Sequence, residues 1–268
     1  MVPLMCPLNV DHEGVEVLEA LPDGRNKAWC PNCDFAWVHG ADRLHFARMT
    51  AQPTPRPMPT ADQASPELMA RAELLKPAFL SQEHAGLDPR VPSFWAKYRR
   101  IFSAEGLSAA GPADLRAFGT DTSGSNLGIQ STFLTAFDKN PEYGAAQVRK
   151  VVDYLLRGTG KPLEDRLTDL VNGTLSFSFP GFKELLLSRV LSVMYPERFL
   201  TLLTYEQKLI AARDVYGLDL PPYYRARIGH QIVQSNDLLA GLAGDGFVNR
   251  PHAGEFLWWA QLQPTERN

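Results

Sequence analysis

The residues most able to do chemistry lie at the start of the chain. Cys30-Pro31-Asn32-Cys33 sets two thiols two residues apart in a tight turn, the spacing at which both sulfurs reach one metal ion. A second pair is needed to close a tetrahedral site, and Cys6 with His12 supplies it; His39 or His45 is the alternative to His12, since both follow the second pair. The expected ion is a structural Zn2+ held by Cys6, His12, Cys30 and Cys33, because four protein ligands leave no open position for substrate. The chain has only these three cysteines, an odd number that makes no disulfide framework and points to a reducing, cytoplasmic setting. A segment this short has too little apolar surface to fold well without a metal.

The remaining polar candidates are spread along the rest of the chain. Gly119–Gln130 is small, polar and glycine-rich, and offers Asp121, Ser125, Asn126 and Gln130 to a ligand; amide side chains present the paired donor and acceptor that read a base edge. Pro180-Gly181 is a turn signal between two helical segments, followed by Lys183. A helix opening there presents free N–H groups to a phosphate, with Gly181 allowing close approach and Lys183 adding charge. Tyr205, Glu206 and Lys208 follow.

The elements that must position these groups divide the chain in three. Residues 1–48 read as a zinc ribbon built on a β-hairpin: Val15, Val17 and Leu18, a Pro22-Asp23-Gly24 turn, then Ala28 and Trp29. Residues 49–64 carry prolines at 53, 55, 57 and 59 and form an extended tether. Residues 65–268 read as all-α. Ser65-Pro66 opens a helix and a second spans 91–103. A third starts near Leu127, and Asn140-Pro141 caps one that carries Val148, Val151, Val152, Leu155 and Leu156 at helical spacing. Further helices are expected at 163–171, 183–194, 204–215, 223–234, 236–243 and 252–261, with Ser235 and Asn236 capping the last but one. Trp258 and Trp259 are expected to close the core, with base stacking as the lesser alternative. The composition, 44% hydrophobic and 21% charged over 268 residues, is that of a folded chain, and the net charge of −3 excludes a globally basic nucleic-acid coat while leaving room for a local basic face. No apolar run is long enough for a membrane span, and no secretory signal is expected.

Phe179-Pro180-Gly181-Phe182-Lys183 resembles the hairpin of the helix–hairpin–helix DNA glycosylases, where the motif reads Leu-Pro-Gly-Val-Gly. Tyr195-Pro196-Glu197-Arg198-Phe199 and Tyr205-Glu206-Gln207-Lys208, with the polar loop before them, are similar to the modified-base recognition regions of McrB-like restriction systems. The likeness covers about 120–240 and rests on short motifs. Two departures stand out: Lys183 replaces the second hairpin glycine, and the place where the glycosylases carry a catalytic aspartate falls at Leu203-Thr204.

The resemblance implies a helix–hairpin–helix-like domain that binds DNA carrying modified bases. The activity it suggests is a DNA glycosylase that flips a modified base from the duplex and hydrolyses the N-glycosidic bond, with hypermodified phage cytosine as target and anti-phage defence as setting. On that reading Asp121 and Glu206 are the catalytic carboxylates, with Asp237 third. Asn126, Gln130 and Tyr205 contact the base. Gly181, Lys183 and Lys208 meet the DNA backbone, Lys208 having attack on the sugar carbon as its alternative role. Lys97, Arg100, Arg149, Lys150, Arg157, Lys161, Arg225 and Arg227 are further basic candidates. The other readings of the same residues are a non-catalytic reader of modified DNA that works with a nuclease or repair partner, and a zinc-containing protein-interaction adaptor.

Overall fold

A computed structural model describes residues 15–20, 26–30, 35–39, 56–82, 90–123, 125, 127 and 130–264. The described chain is mostly helical, as the pattern predicts. The amino-terminal module is an antiparallel sheet in the order β1 (Glu16–Ala20), β2 (Asn26–Cys30), β3 (Phe35–His39), one strand more than the expected hairpin. β2 is central, pairing Trp29 with Glu16 on one side and with Ala36 on the other. Ala28, Trp29 and Cys30 are buried. Trp29 packs against Tyr224 of the helical region with ring centroids 5.6 Å apart. The tether is fastened as well: Arg56 donates to the Asp219 carboxylate and to the carbonyls of Asp219 and Leu220.

Eleven α-helices follow among the described residues: α1 (Pro66–Leu80), α2 (Arg90–Phe102), α3 (Ala104–Ala109), α4 (Pro112–Phe118), α5 (Ser131–Lys139), α6 (Pro141–Arg157), α7 (Leu163–Asn172), α8 (Glu184–Met194), α9 (Tyr205–Tyr216), α10 (Ile228–Ala243) and α11 (Arg250–Gln261). Local chemistry explains many of their ends. The Asn140 side chain accepts from Tyr143 N, and Pro141 occupies the first turn of α6, where its missing N–H costs nothing. Val148, Val151, Val152 and Leu155 then form the buried stripe that helical spacing requires. Thr204 and Gln207 make a reciprocal capping box at the start of α9, and Gly217 ends it in the left-handed conformation.

An aromatic core ties the elements together. Phe94, Tyr98 and Phe102 of α2 meet Phe118 at the end of α4, which in turn meets Phe182 just before α8. Phe133 and Phe137 of α5 pack on Phe179. Buried aromatic pairs of this kind each add about 0.5–1.5 kcal/mol beyond area burial.

The helix pattern differs from expectation in two places. α3 and α4 are too short to show periodicity, although Ser103 caps the first and Gly111-Pro112 opens the second. The helices expected at 223–234 and 236–243 are one helix, α10. Ser235 and Asn236, read as caps, lie inside it and are fully buried. Ser235 returns its hydroxyl proton to the Gln231 carbonyl one turn back. Asn236 is satisfied across the fold, accepting from Leu200 N and donating to Arg198 O. Both side chains meet their polar needs without ending the helix.

Candidate functional site

Arg189, in the middle of α8, is 1% exposed. Its guanidinium donates to the Phe118 carbonyl at 2.7 Å and the Ser123 carbonyl at 2.9 Å, and lies 4.3 Å from the centroid of the Phe94 ring. Burial pulls its pKa down to about 10, with Asp121 and Tyr98 opposing. Asp121 accepts from Ser123 N at 2.8 Å. Burial pushes this carboxyl up, but the Ser123 bonds and the nearby Arg189 and Lys97 outweigh burial and hold it below the ordinary carboxylate value. The polar loop is therefore pinned at its start by a buried cation and an ionised acid.

Beyond that pin, Ser125 reaches the wall of a cavity of about 230 Å³. Thr201, Leu202 and Gln207 form the side nearest α9, and Gly254, Glu255 and Trp258 the side from α11. The two sides are joined locally. Thr201 donates its hydroxyl proton to the Pro251 carbonyl at 3.1 Å, and Gly254 packs so tightly on the Thr201 backbone that a β-carbon does not fit. Gln207 Oε1 is engaged by the amides of Leu203 and Thr204, which fixes the side chain at the cavity edge. Glu255 and Trp258 are three residues apart and share a helix face. Burial, with no compensating charge, pushes the Glu255 carboxyl up to about 7. Trp258 is 48% exposed, a large ring surface left in solvent at the mouth.

The sequence-predicted site residues are not brought together here. Asp121 serves the Arg189 pin and does not line the cavity. Glu206 projects to solvent from the first turn of α9, beside Gln207 in sequence but on another face. Asp237 pairs with Arg198 at 2.8 Å. Tyr205 is fully buried, its hydroxyl donating to the Pro221 carbonyl at 2.6 Å, so it is a strut and cannot stack on a base. Gln130 bonds back to the Leu127 carbonyl at the start of α5. Asn126 lies outside the described residues, as do Cys6, His12 and Cys33; Cys30 closes β2 and is buried.

The three residues expected to meet a DNA backbone are each engaged within the protein. Gly181 has φ +73°, and the space a β-carbon would fill is taken by the backbone of Phe133, so glycine is required there by packing within the protein. Lys183 turns back to donate to the Leu170 carbonyl at the end of α7, and burial lowers its pKa, with Arg225 adding to the effect. Lys208 is 1% exposed; burial pulls it down to about 8, with Glu184 opposing. Neither lysine presents a free ammonium: Lys183 is bonded to a carbonyl and Lys208 is buried. Most other basic candidates are also engaged: Lys97 with Asp114, Arg149 with the Ala110 carbonyl, Arg157 with Asp153, and Lys161 with Asp169. Arg225 donates to the Asn172 side chain, while Arg100, Lys150 and Arg227 stay exposed.

Glu255 escaped the sequence reading, and Trp258, expected to close the core, stands exposed instead. The available signal was the Trp258-Trp259 pair, since adjacent helical positions point about 100° apart and cannot both face one core. Among the described residues there is no cluster of three or more metal-ligating side chains, and no helix long and apolar enough to cross a membrane. Comparison with protein families, curated proteins and solved structures finds no match to this chain.

The Glu255 shift has a definite sign. A carboxyl raised above its ordinary 4.5 takes up a proton on folding, so its contribution to stability is lost as pH rises from there through about 7. The Glu255→Gln variant is expected to lose this dependence. Between about pH 5 and about pH 8 the melting temperature of the wild type should fall by roughly 3–6 °C more than that of the variant. Parallel melting curves across that range contradict the assignment.

Proposed function

We propose that the helical domain binds DNA and reads one modified base turned out of the duplex into the cavity between α9 and α11. The observation that supports this reading is the pairing, on one face of α11, of a carboxyl held near neutrality with an exposed indole at a cavity mouth. A flipped base is recognised by stacking on an aromatic surface and by hydrogen bonds to its Watson–Crick edge. A protonated carboxyl offers one donor and one acceptor side by side, the complement of the N3 and N4 edge of cytosine. The size agrees: about 230 Å³ lies below the ~300–1,000 Å³ of pockets for drug-sized ligands and suits a single ring system.

Reading is favoured over excision by the state of the carboxylates. Breaking an N-glycosidic bond calls for a fixed negative charge beside a developing positive sugar. Asp121 is ionised but committed to Ser123 and Arg189, and Glu206 is outside the cavity lining. Glu255 is biased toward its neutral form. Excision remains the second reading on one observation, that a group titrating near neutral pH suits general-acid work on a departing base. The resemblance to restriction-type regions suggests that the reader works with a nuclease in anti-phage defence.

Duplexes differing in one 5-hydroxymethylcytosine separate these readings. The reader binds the modified duplex about tenfold more tightly, Trp258→Ala abolishes the difference, and alkali releases no strand breaks. Equal binding of the two duplexes sinks base reading. Alkali-labile breaks that disappear in Glu255→Gln establish excision in its place.

The amino-terminal module is proposed to carry a structural zinc on Cys6, His12, Cys30 and Cys33. Support comes from a small sheet whose central strand ends at Cys30, three residues before Cys33 in the chain. Protein purified with zinc in the medium should hold one ion per chain, released when the thiols are modified, and Cys33→Ser should lose it. A metal-free preparation with unaltered melting contradicts the site.

A further inference from the structure

A second cavity, of about 360 Å³, opens where the tether meets the start of α10. Its lining includes Arg56, Tyr224, Arg227, His230, Gln231 and Gln234, with no carboxylate among the described lining residues. Arg56 is half exposed and already oriented, one guanidinium nitrogen on the Asp219 carboxylate at 2.9 Å and another on the Leu220 carbonyl at 2.7 Å. His230 lies 2.7 Å from Asp165. Arg227 is exposed, and no acidic side chain among the described residues pairs with it. The floor is rigid: Gln231 accepts from Tyr224 N and donates to the Pro222 carbonyl and to the Tyr205 hydroxyl. The wall is shared with the amino-terminal module, since Trp29 packs on Tyr224.

Two guanidinium groups over a polar floor, with no acid among the described lining residues and with Asp219 and Asp165 holding Arg56 and His230 from outside it, make a cavity for an oxyanion. Arg227 has its fork free among the described residues and can bind phosphate with two parallel hydrogen bonds, while Arg56, held on Asp219 and Leu220, adds a remaining N–H. The first turn of α9 links the two cavities: Tyr205 hydrogen-bonds through its hydroxyl to Pro221 and Gln231, which line this one, while Gln207 lines the base cavity. We propose that this cavity holds one phosphate of a DNA strand through Arg56 and Arg227, beside the seat of the amino-terminal module. The proposal rests on the nucleic-acid reading given above and does not depend on what the base cavity accepts.

The test uses the full chain, with unmodified and 5-hydroxymethylcytosine duplexes titrated over a range of salt. Arg227→Gln should weaken binding of both duplexes alike, by about tenfold, and should make the slope of log K against log salt shallower by about one. Arg56→Lys, which keeps the charge and loses the hold on Asp219 and Leu220 that orients it, should weaken both duplexes with the slope unchanged. Trp258→Ala, by contrast, should act only on the preference for the modified duplex. Titration with inorganic phosphate should shift the His230 ring resonances in the wild type and leave them in place in Arg227→Gln. Unchanged affinity and slope in Arg227→Gln overturn the proposal. An effect of Arg227→Gln confined to the modified duplex also overturns it while leaving base reading intact. Phosphate-induced shifts in a protein that binds neither duplex assign the cavity to a free phosphate compound and overturn the DNA source.

Discussion

The buried guanidinium of Arg189 is the constraint on which the arrangement depends. Taking a cation out of water costs several kcal/mol even after relaxation. The fold offsets that cost with two backbone carbonyls, an aromatic face and an ionised Asp121 nearby. Each of these partners is positioned by a different element: Phe118 by the end of α4, Ser123 and Asp121 by the polar loop, and Phe94 by α2. A single side chain on α8 thus dictates where the loop leaves the core and allows Ser125 to reach the cavity wall. Lysine is a poor replacement, because one ammonium group cannot span both carbonyls in a plane.

A second buried polar unit organises the other half of the site. Glu184 at the start of α8 accepts from Tyr205 N at the start of α9, and Lys208 lies one turn further on. Burial pushes the Glu184 carboxyl up, and the Lys208 charge and the Tyr205 amide bring it partly back. Truncating either partner would leave an uncompensated charge in the interior, a change that typically costs about 3–5 kcal/mol. These groups connect α8 to the first turn of α9, the turn both cavities share. Glu255 is the contrasting case. No cation among the described residues neutralises it, so burial holds its carboxyl up near 7, and its proton becomes available to a ligand.

Helix ends and core stripes were legible because they rest on local chemistry. The Asn140-Pro141 cap with its valine and leucine stripe appears where the spacing placed it, and a helix begins at Tyr205, one residue from the expected start at 204. The polar residues were harder. Ser235 and Asn236 have the composition of a cap, and only partners 36 and 38 residues away keep Asn236 inside a helix. Gly181 has the composition of a ligand-facing turn, yet the atoms that require a glycine there belong to Phe133, far off in sequence. Lys208 and Arg189 look like surface charges on amphipathic helices; their burial follows from packing against neighbours that periodicity does not name. Glu255 is one acid among many in the sequence, and its role emerges only once Thr201 and Gln207 stand opposite it.

The claim that an everted base stacks at the mouth of this cavity is tested most directly on Trp258 itself. In protein labelled with 5-fluorotryptophan, the Trp258 resonance, identified by loss in Trp258→Phe, should move on addition of a duplex carrying 5-hydroxymethylcytosine, while that of buried Trp95 stays in place. A Trp258 signal that does not respond to saturating modified duplex, or that moves equally with unmodified duplex, contradicts the account.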